Sequence, residues 1–407
     1  MEETLIGVPI GIPAAEYRQR QERLRAECSA QGAGAACVFD ADYVKYYSGF
    51  FYSITERPLA FVMNAQGETA LFVPRLEQEH ARAHGCVDEV WSYPEYPGLT
   101  HPMAILAERL RDWGVREAPL LADEDGYPWV LGYRGPALSE LLAGSVLSAR
   151  AFIEDCLNVK SDLEMDLLRH SAIWGNYGLA RLVAHTRPGR TETMASQRAT
   201  AETWQAMLAA YGPHYQAHTS YYGDGARVEY RGQIGRNSAI PHAIGNNLTF
   251  QEGDTLIGES TVAVWGYSVE LERTLFLGAP GEAQRFLFRH MLALQETAIA
   301  AIQPGQPCSI VDEAVRAYFI EHDLERYRRH HVGHGIGLRY HEGPFLDVGD
   351  HTLMQPGMVF TVEPGLFDAN WGGFRHSDTV RVTDSGNELL TLYPRDLESC
   401  TLPVVER

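Results

Sequence analysis

Apolar and polar positions along the chain change period several times, and each change predicts an element. Residues 14–31 read as a polar helix stopped by Gly32. Ala36-Cys37-Val38-Phe39 is a short apolar run, followed by Leu59-Ala60-Phe61-Val62-Met63 and Ala70-Leu71-Phe72-Val73, all strand-like. A helical stretch near Met103 to Trp113 and the run Ala118 to Ala122 complete an alternation of strands and helices. That grammar predicts a small N-terminal α/β domain over residues 1–157. Ser161 and Glu164 then form a capping box before a stripe of Leu163, Leu167, Leu168, Ala172 and Ile173, so a long helix is expected to about His185. Pro188-Gly189 stops it and Thr191 starts another. The same order of helix, Pro-Gly and helix returns at Phe286 to Ile302, Pro304-Gly305 and Ser309, where Ser309 is expected to cap. Chance and an ancient duplication explain this echo equally well. No long linker interrupts residues 160 to 400, so residues 158–407 are read as one domain.

The richest pattern lies between Thr255 and Gly278. Thr255 to Val264 and Val269 to Phe276 read as two strands, with Trp265-Gly266-Tyr267-Ser268 as the turn or its shoulder. A hairpin centred between Val264 and Trp265 would set Glu259 opposite Glu270. Glu270 and Glu272 share a strand face, so three carboxylates would crowd one patch. Like charges across a strand pair repel, so a cation, a shared proton or a basic side chain must compensate. A solvated ladder with Arg273 as counterion is the plainer alternative. Further along, His330-His331-Val332-Gly333-His334-Gly335-Ile336-Gly337 leads to His341, and the glycines permit close backbone approach. As a phosphate cradle this run lacks an acceptor lysine and a following helix cap. Glu363 closes the apolar strand Val359 to Val362 just before Pro364, a common placement for a functional side chain.

Composition narrows the partners. The 407 residues carry 34 Lys plus Arg against 53 Asp plus Glu, a net charge of −19. Such a field disfavours nucleic acid and anionic membrane and favours cationic ligands. With 45% hydrophobic and 21% charged residues the chain reads as globular rather than disordered. The six cysteines stand singly, without a C-x-x-C pair, as expected of reduced thiols. The terminus Met1, Glu2, Glu3, Thr4 lacks the features of a secretory leader, and no apolar run is long enough to span a bilayer. A cytoplasmic location is expected.

Pro241-His242, Gln251-Glu252-Gly253-Asp254, Gly333-His334-Gly335-Ile336-Gly337, Met358 through Glu363-Pro364-Gly365 and Arg375 to Val380 together resemble the pita-bread family of creatinase, prolidase and the methionine and proline aminopeptidases. The resemblance implies a two-domain, dimeric protein whose C-terminal domain, an antiparallel sheet with flanking helices, holds the active site. Metallopeptidases of this family bind two metal ions through Asp, Asp, His, Glu and Glu. By motif those positions fall on Glu259, Glu270, His334, Glu363 and Ser377. A serine hydroxyl is a poor ligand for a transition metal, and a dinuclear site needs a bridging carboxylate.

Leu271-Glu272-Arg273-Thr274-Leu275-Phe276, with Tyr46-Tyr47-Ser48 and Arg57-Pro58, looks instead like creatinase, the branch that works without metal. That resemblance implies a hydrolase of a C–N bond other than a peptide bond, acting on a small zwitterion with an amidinium or guanidinium group and using no cofactor. His242 would be the general acid/base, Glu272 and Glu363 would hold the cation, and Glu270, His334, His341, His376 and Tyr267 would line the pocket. Arg57 would clamp a carboxylate, supplied across the subunit boundary of a homodimer. In a variant similar to ectoine hydrolase, Glu259 is the nucleophile. Two alternatives stay open: a metal-dependent Xaa-Pro peptidase or lyase, in which Glu259, Glu270, His334 and Glu363 hold one ion with His376 as substitute ligand, and a non-catalytic peptide-binding module.

Overall fold

The computed structural model describes residues 11–212 and 225–404. The terminal residues Met1, Glu2, Glu3 and Thr4, read above as lacking a leader, lie outside them. The chain divides into two compact units, one of them Gly11–Cys156 and the other built from Leu157 onward.

The first unit is a six-stranded mixed sheet. Its strand order is Glu89–Tyr93, Thr69–Pro74, Ala60–Asn64, Ala35–Val38, Leu120–Ala122, Val146–Ser148. The strands Ala35–Val38, Ala60–Asn64 and Thr69–Pro74 are buried along their whole length, which accounts for their unbroken apolar runs. Ala14–Ala30 and Pro102–Asp112 are helices, as their patterns predict. Val62, Phe72, Trp91, Leu106 and Tyr133 belong to one apolar core that draws no residue from beyond this unit. Arg57 lies here, its guanidinium 2.5 Å from Glu56 and 2.7 Å from Glu95.

The second unit is built around a long antiparallel hairpin, Thr255–Val264 and Tyr267–Leu277, flanked by Ala226–Glu229 on one side and Thr401–Leu402 on the other. A five-stranded sheet follows, ordered Glu342–Leu346, Gly333–Gly335, Val359–Val362, Asp378–Thr383, Gly386–Leu389. A bridge between Glu272 and Ser377 ties the two sheets together. The mixed α/β class and the antiparallel, helix-flanked second domain are as expected from the sequence.

The helix Asp162–His185 starts at the expected capping box: Ser161 Oγ accepts from the Glu164 amide and Glu164 accepts from the Ser161 amide at 2.8 Å. It also fixes the hairpin. Ser171 Oγ donates to the Tyr267 carbonyl at 2.7 Å and accepts from the Val264 amide at 2.8 Å, so one hydroxyl grips both shoulders of the turn. Between those shoulders Trp265 and Gly266 both have positive φ, 53° and 79°, the two-residue turn that matches strand twist. The turn is therefore centred one residue later than expected. Glu259 faces Glu272, not Glu270, which faces Thr261. The correction moves the pairing by two residues, so parity survives and all three carboxylates stay on one face. A second difference concerns Ser309, which is the first helical residue of Ser309–Glu321 and not its cap; its amide donates to Asp350.

Candidate active site

Four carboxylates converge beside the hairpin. Glu270, Glu272 and Glu363 each present an oxygen within 4.8 Å of the others, all buried. Glu259 is buried alongside, 4% exposed, so the solvated-ladder alternative fails. Arg273 is not their counterion: as an odd-numbered residue it points to the other face of its strand and pairs with Asp378 at 2.8 Å. Two other arginines compensate. Arg375 grips Glu272 with Nε and Nη2, both at 2.5 Å, and its Nε lies 3.7 Å from Glu363. Arg231 places Nε 3.0 Å from Glu259 and Nη2 3.9 Å from Glu272. Sequence reasoning gave neither arginine a role. Arg375 was legible as part of a motif, whereas Arg231 sits in a loop with φ 51°, a conformation no pattern around it announces.

These charges divide the acids into two kinds. Burial raises the pKa of Glu259, but Arg231, with hydrogen bonds from Thr261 at 2.9 Å and Tyr340 at 3.0 Å, brings it below the usual value. Burial, then the charges of Glu363 and Glu259, push Glu270 up to about 8. Burial against the pull of Arg375 leaves Glu272 and Glu363 raised to about 7. Four carboxylates against two guanidinium groups leave negative charge that protons or a cation must neutralise.

The histidines behave differently from one another. His334 lies at a bulge between Gly333–Gly335 and its neighbouring strand. Its Nδ1 donates to the Gly335 carbonyl at 2.8 Å, which leaves Nε2 as the unprotonated nitrogen, 3.6 Å from Glu363. Burial and then His341 hold its pKa down at about 3, so the ring is neutral. His341 stacks on it with ring centroids 3.7 Å apart. His242 is exposed, in the loop after Ile240, where Gln233 donates to the Pro241 carbonyl at 3.2 Å. Burial of its ring, then the positive fields of Arg231 and Arg375, lower its pKa.

Two expected pocket residues are placed elsewhere. His376 accepts from the Thr274 amide at Nδ1 and donates from Nε2 to the Arg395 carbonyl, so both ring nitrogens are spent on backbone and neither can ligate. Tyr267 is on the face opposite Glu270 and Glu272, its hydroxyl 2.7 Å from Glu164. Arg57 belongs to the first unit.

The residues present fit a divalent cation. Among the described residues, His334 Nε2 and Glu270 Oε1 are buried without a hydrogen-bond partner, and both belong to the converging group. A neutral imidazole whose other nitrogen is fixed by a carbonyl, beside carboxylates, is a common ligand arrangement. Ser377 Oγ is also buried and unpartnered.

Comparison with known proteins agrees. The model of metallopeptidase family M24 matches residues 166–384, and that of the creatinase/prolidase N-terminal domain matches residues 20–134. YkvY of Bacillus subtilis is 25% identical over 379 residues, 93% of this chain and 99% of its own. An Xaa-Pro dipeptidase of Pyrococcus furiosus is 34% identical over 163 residues, 40% of this chain and 47% of that one. The fold is that of a prolidase from Thermococcus sibiricus, with a TM-score of 0.80 at 23% identity, covering 97% of this chain and 100% of the other. These matches correct the expectation of a metal-independent, creatinase-like hydrolase of non-peptide C–N bonds. The family matched is one of metallopeptidases, YkvY is named as a putative dipeptidase, and the Pyrococcus relatives are named as Xaa-Pro dipeptidases. The run Leu271 to Phe276 was too local to choose the branch, and the N-terminal domain is common to creatinase and prolidase.

Proposed function

The chain belongs to metallopeptidase family M24, and from that premise we propose that it is a metal-dependent peptidase that hydrolyses small peptides of the Xaa-Pro dipeptide type. The observation that carries the reading is the pair of buried, unpartnered atoms, His334 Nε2 and Glu270 Oε1, in a cluster with more carboxylates than guanidinium groups. Glu270, Glu363 and His334 would hold the ion. When bound, it would supply Lewis acidity toward the scissile carbonyl.

The chain's own residues do the rest. Arg375 holds Glu272 in a two-point grip and so fixes the wall against which Glu363 stands. A dipeptide is itself a small zwitterion, so the acidic cluster suits its α-ammonium group as it would have suited an amidinium. His242, neutral at pH 7 because its pKa is lowered, is suited to carrying a proton to the leaving nitrogen at the solvent edge. His341 backs His334 and limits its rotation. Arg57 remains our candidate for the substrate carboxylate, reached across a homodimer. None of the six cysteines forms a disulfide, which supports a reducing compartment such as the cytoplasm. No helix among the described residues is long and apolar enough to cross a membrane.

The test is a peptide panel. Purified protein is assayed on Ala-Pro, Gly-Pro, Ala-Leu and creatine, after chelation and after return of Mn²⁺ or Co²⁺. Hydrolysis of the prolyl dipeptides, lost on chelation and restored by the ion, is expected. Turnover of creatine in chelator, with the dipeptides intact, would overturn the reading.

A further inference from the structure

The carboxylates are not equally available. Glu259 stands where the family's metallopeptidases place their first metal-binding Asp, yet it is already in an ion pair with a guanidinium, although Glu259 Oε2 and Arg231 Nε are not aligned as a hydrogen bond. Arg231 Nε lies 3.0 Å from one oxygen, while Thr261 and Tyr340 donate to the other at 2.9 and 3.0 Å. Arg231 also reaches within 3.9 Å of Glu272, so its guanidinium sits between two acids, as a cation would. The backbone is set for this: Arg231 has φ 51°, rarely adopted by a residue with a side chain. Gly232 beside it has φ 75°, and a Cβ there would lie 2.3 Å from the Ile244 carbonyl oxygen. The loop is further anchored by Glu192, which accepts from the Gly232 amide at 2.6 Å, and by the Ile257 amide, which donates to Gln233. Ser377, at the position of the bridging carboxylate, brings no charge. One side of the cluster thus carries the Arg231 guanidinium, while on the other Glu363 has only Arg375 Nε at 3.7 Å, and Glu270 Oε1 and His334 Nε2 have no hydrogen-bond partner.

The geometry points to a mononuclear enzyme in which the Arg231 guanidinium takes the place of the second metal ion. The inference rests on the metal-dependent reading above and deepens it. It makes Arg231 a positioning residue that holds Glu259 and leaves one divalent ion to neutralise the remaining acids. The Ser377 hydroxyl in place of a bridging carboxylate is then the complement of Arg231: a negative bridge is not needed where a second ion does not bind.

The test counts ions. Wild-type protein, Ser377→Glu and the double variant Arg231→Met/Ser377→Glu are stripped with chelator, then titrated with Mn²⁺ by calorimetry. Bound metal is measured again by elemental analysis after gel filtration. One ion per chain is expected for wild type and for Ser377→Glu, where Arg231 still occupies the second position. Two are expected for the double variant. Two ions in wild type or in Ser377→Glu would overturn the inference while leaving the metal-dependent reading intact. One ion in a folded double variant would also overturn it. No ion in wild type would overturn both. The wild-type count needs no variant to fold.

Discussion

Arg375 and His334 show how single side chains set the chemistry. Arg375 and Glu272 are a buried two-point pair, with side chains 3% and 1% exposed. Removing one partner strands the other, so Arg375→Ala should cost about 3–5 kcal/mol in denaturant unfolding. A loss under about 1 kcal/mol would mean that Glu272 finds another partner or takes up a proton at no cost. His334→Ala removes a neutral imidazole that nothing nearby can replace, since His376 is committed to backbone. Its Mn²⁺ affinity, measured by calorimetry, should fall by at least ~100-fold, the upper end of what loss of a mere supporting contact costs. Protonation adds a third expectation. Without metal, Glu270 near 8 and Glu272 and Glu363 near 7 lie above the ordinary 4.5, so the folded state holds protons that the unfolded state has released. Their contribution is complete below the unfolded value and is lost as pH rises through 7 to 8. The Tm of chelated protein should therefore drop between about pH 6 and pH 8.5, and bound Mn²⁺ should flatten the drop. A Tm that rises over that interval would contradict the assignment.

At the level of elements, the hairpin carried most of what was readable. Strand parity put Glu270 and Glu272 on one face, the expected hairpin centre added Glu259, and the structure keeps all three there. Register was not readable to the residue, because it depends on whether Trp265 adopts positive φ, and an aromatic residue gives no local sign of doing so. Ser171, 93 residues before Val264 in the chain, helps to decide it. Ser171→Ala would remove the hydroxyl that bridges the Val264 amide and the Tyr267 carbonyl and should cost about 0.5–1.5 kcal/mol, with weakened exchange protection at Val264 and Tyr267. Unchanged stability and protection would show that the turn holds its register alone. The Ser161–Glu164 cap was legible for the opposite reason: both partners lie within one turn of helix, so their relation is written in adjacent sequence. Arg231 was not, since its role depends on the distant strand that carries Glu259.

Each unit of the whole molecule has its own apolar core, one drawn from residues 35–146 and the other from residues 159–402. A fragment of residues 157–407 is therefore expected to fold cooperatively and to retain Mn²⁺ binding; a fragment that stays unfolded would contradict this. Family and architecture were readable because motifs spread from Pro241 to Val380 agree with one another. The branch was not: two lengthened acids and one lost carboxylate suggested that metal had been abandoned, when two arginines and a neutral histidine had re-divided the same charge. The central claim is that a divalent ion completes this cluster. Crystals grown with Mn²⁺ and measured at its absorption edge test it most directly. An anomalous peak bounded by Glu270, Glu363 and His334 is the expected result. A map without a peak there, from protein that still cleaves prolyl dipeptides in chelator, would contradict it.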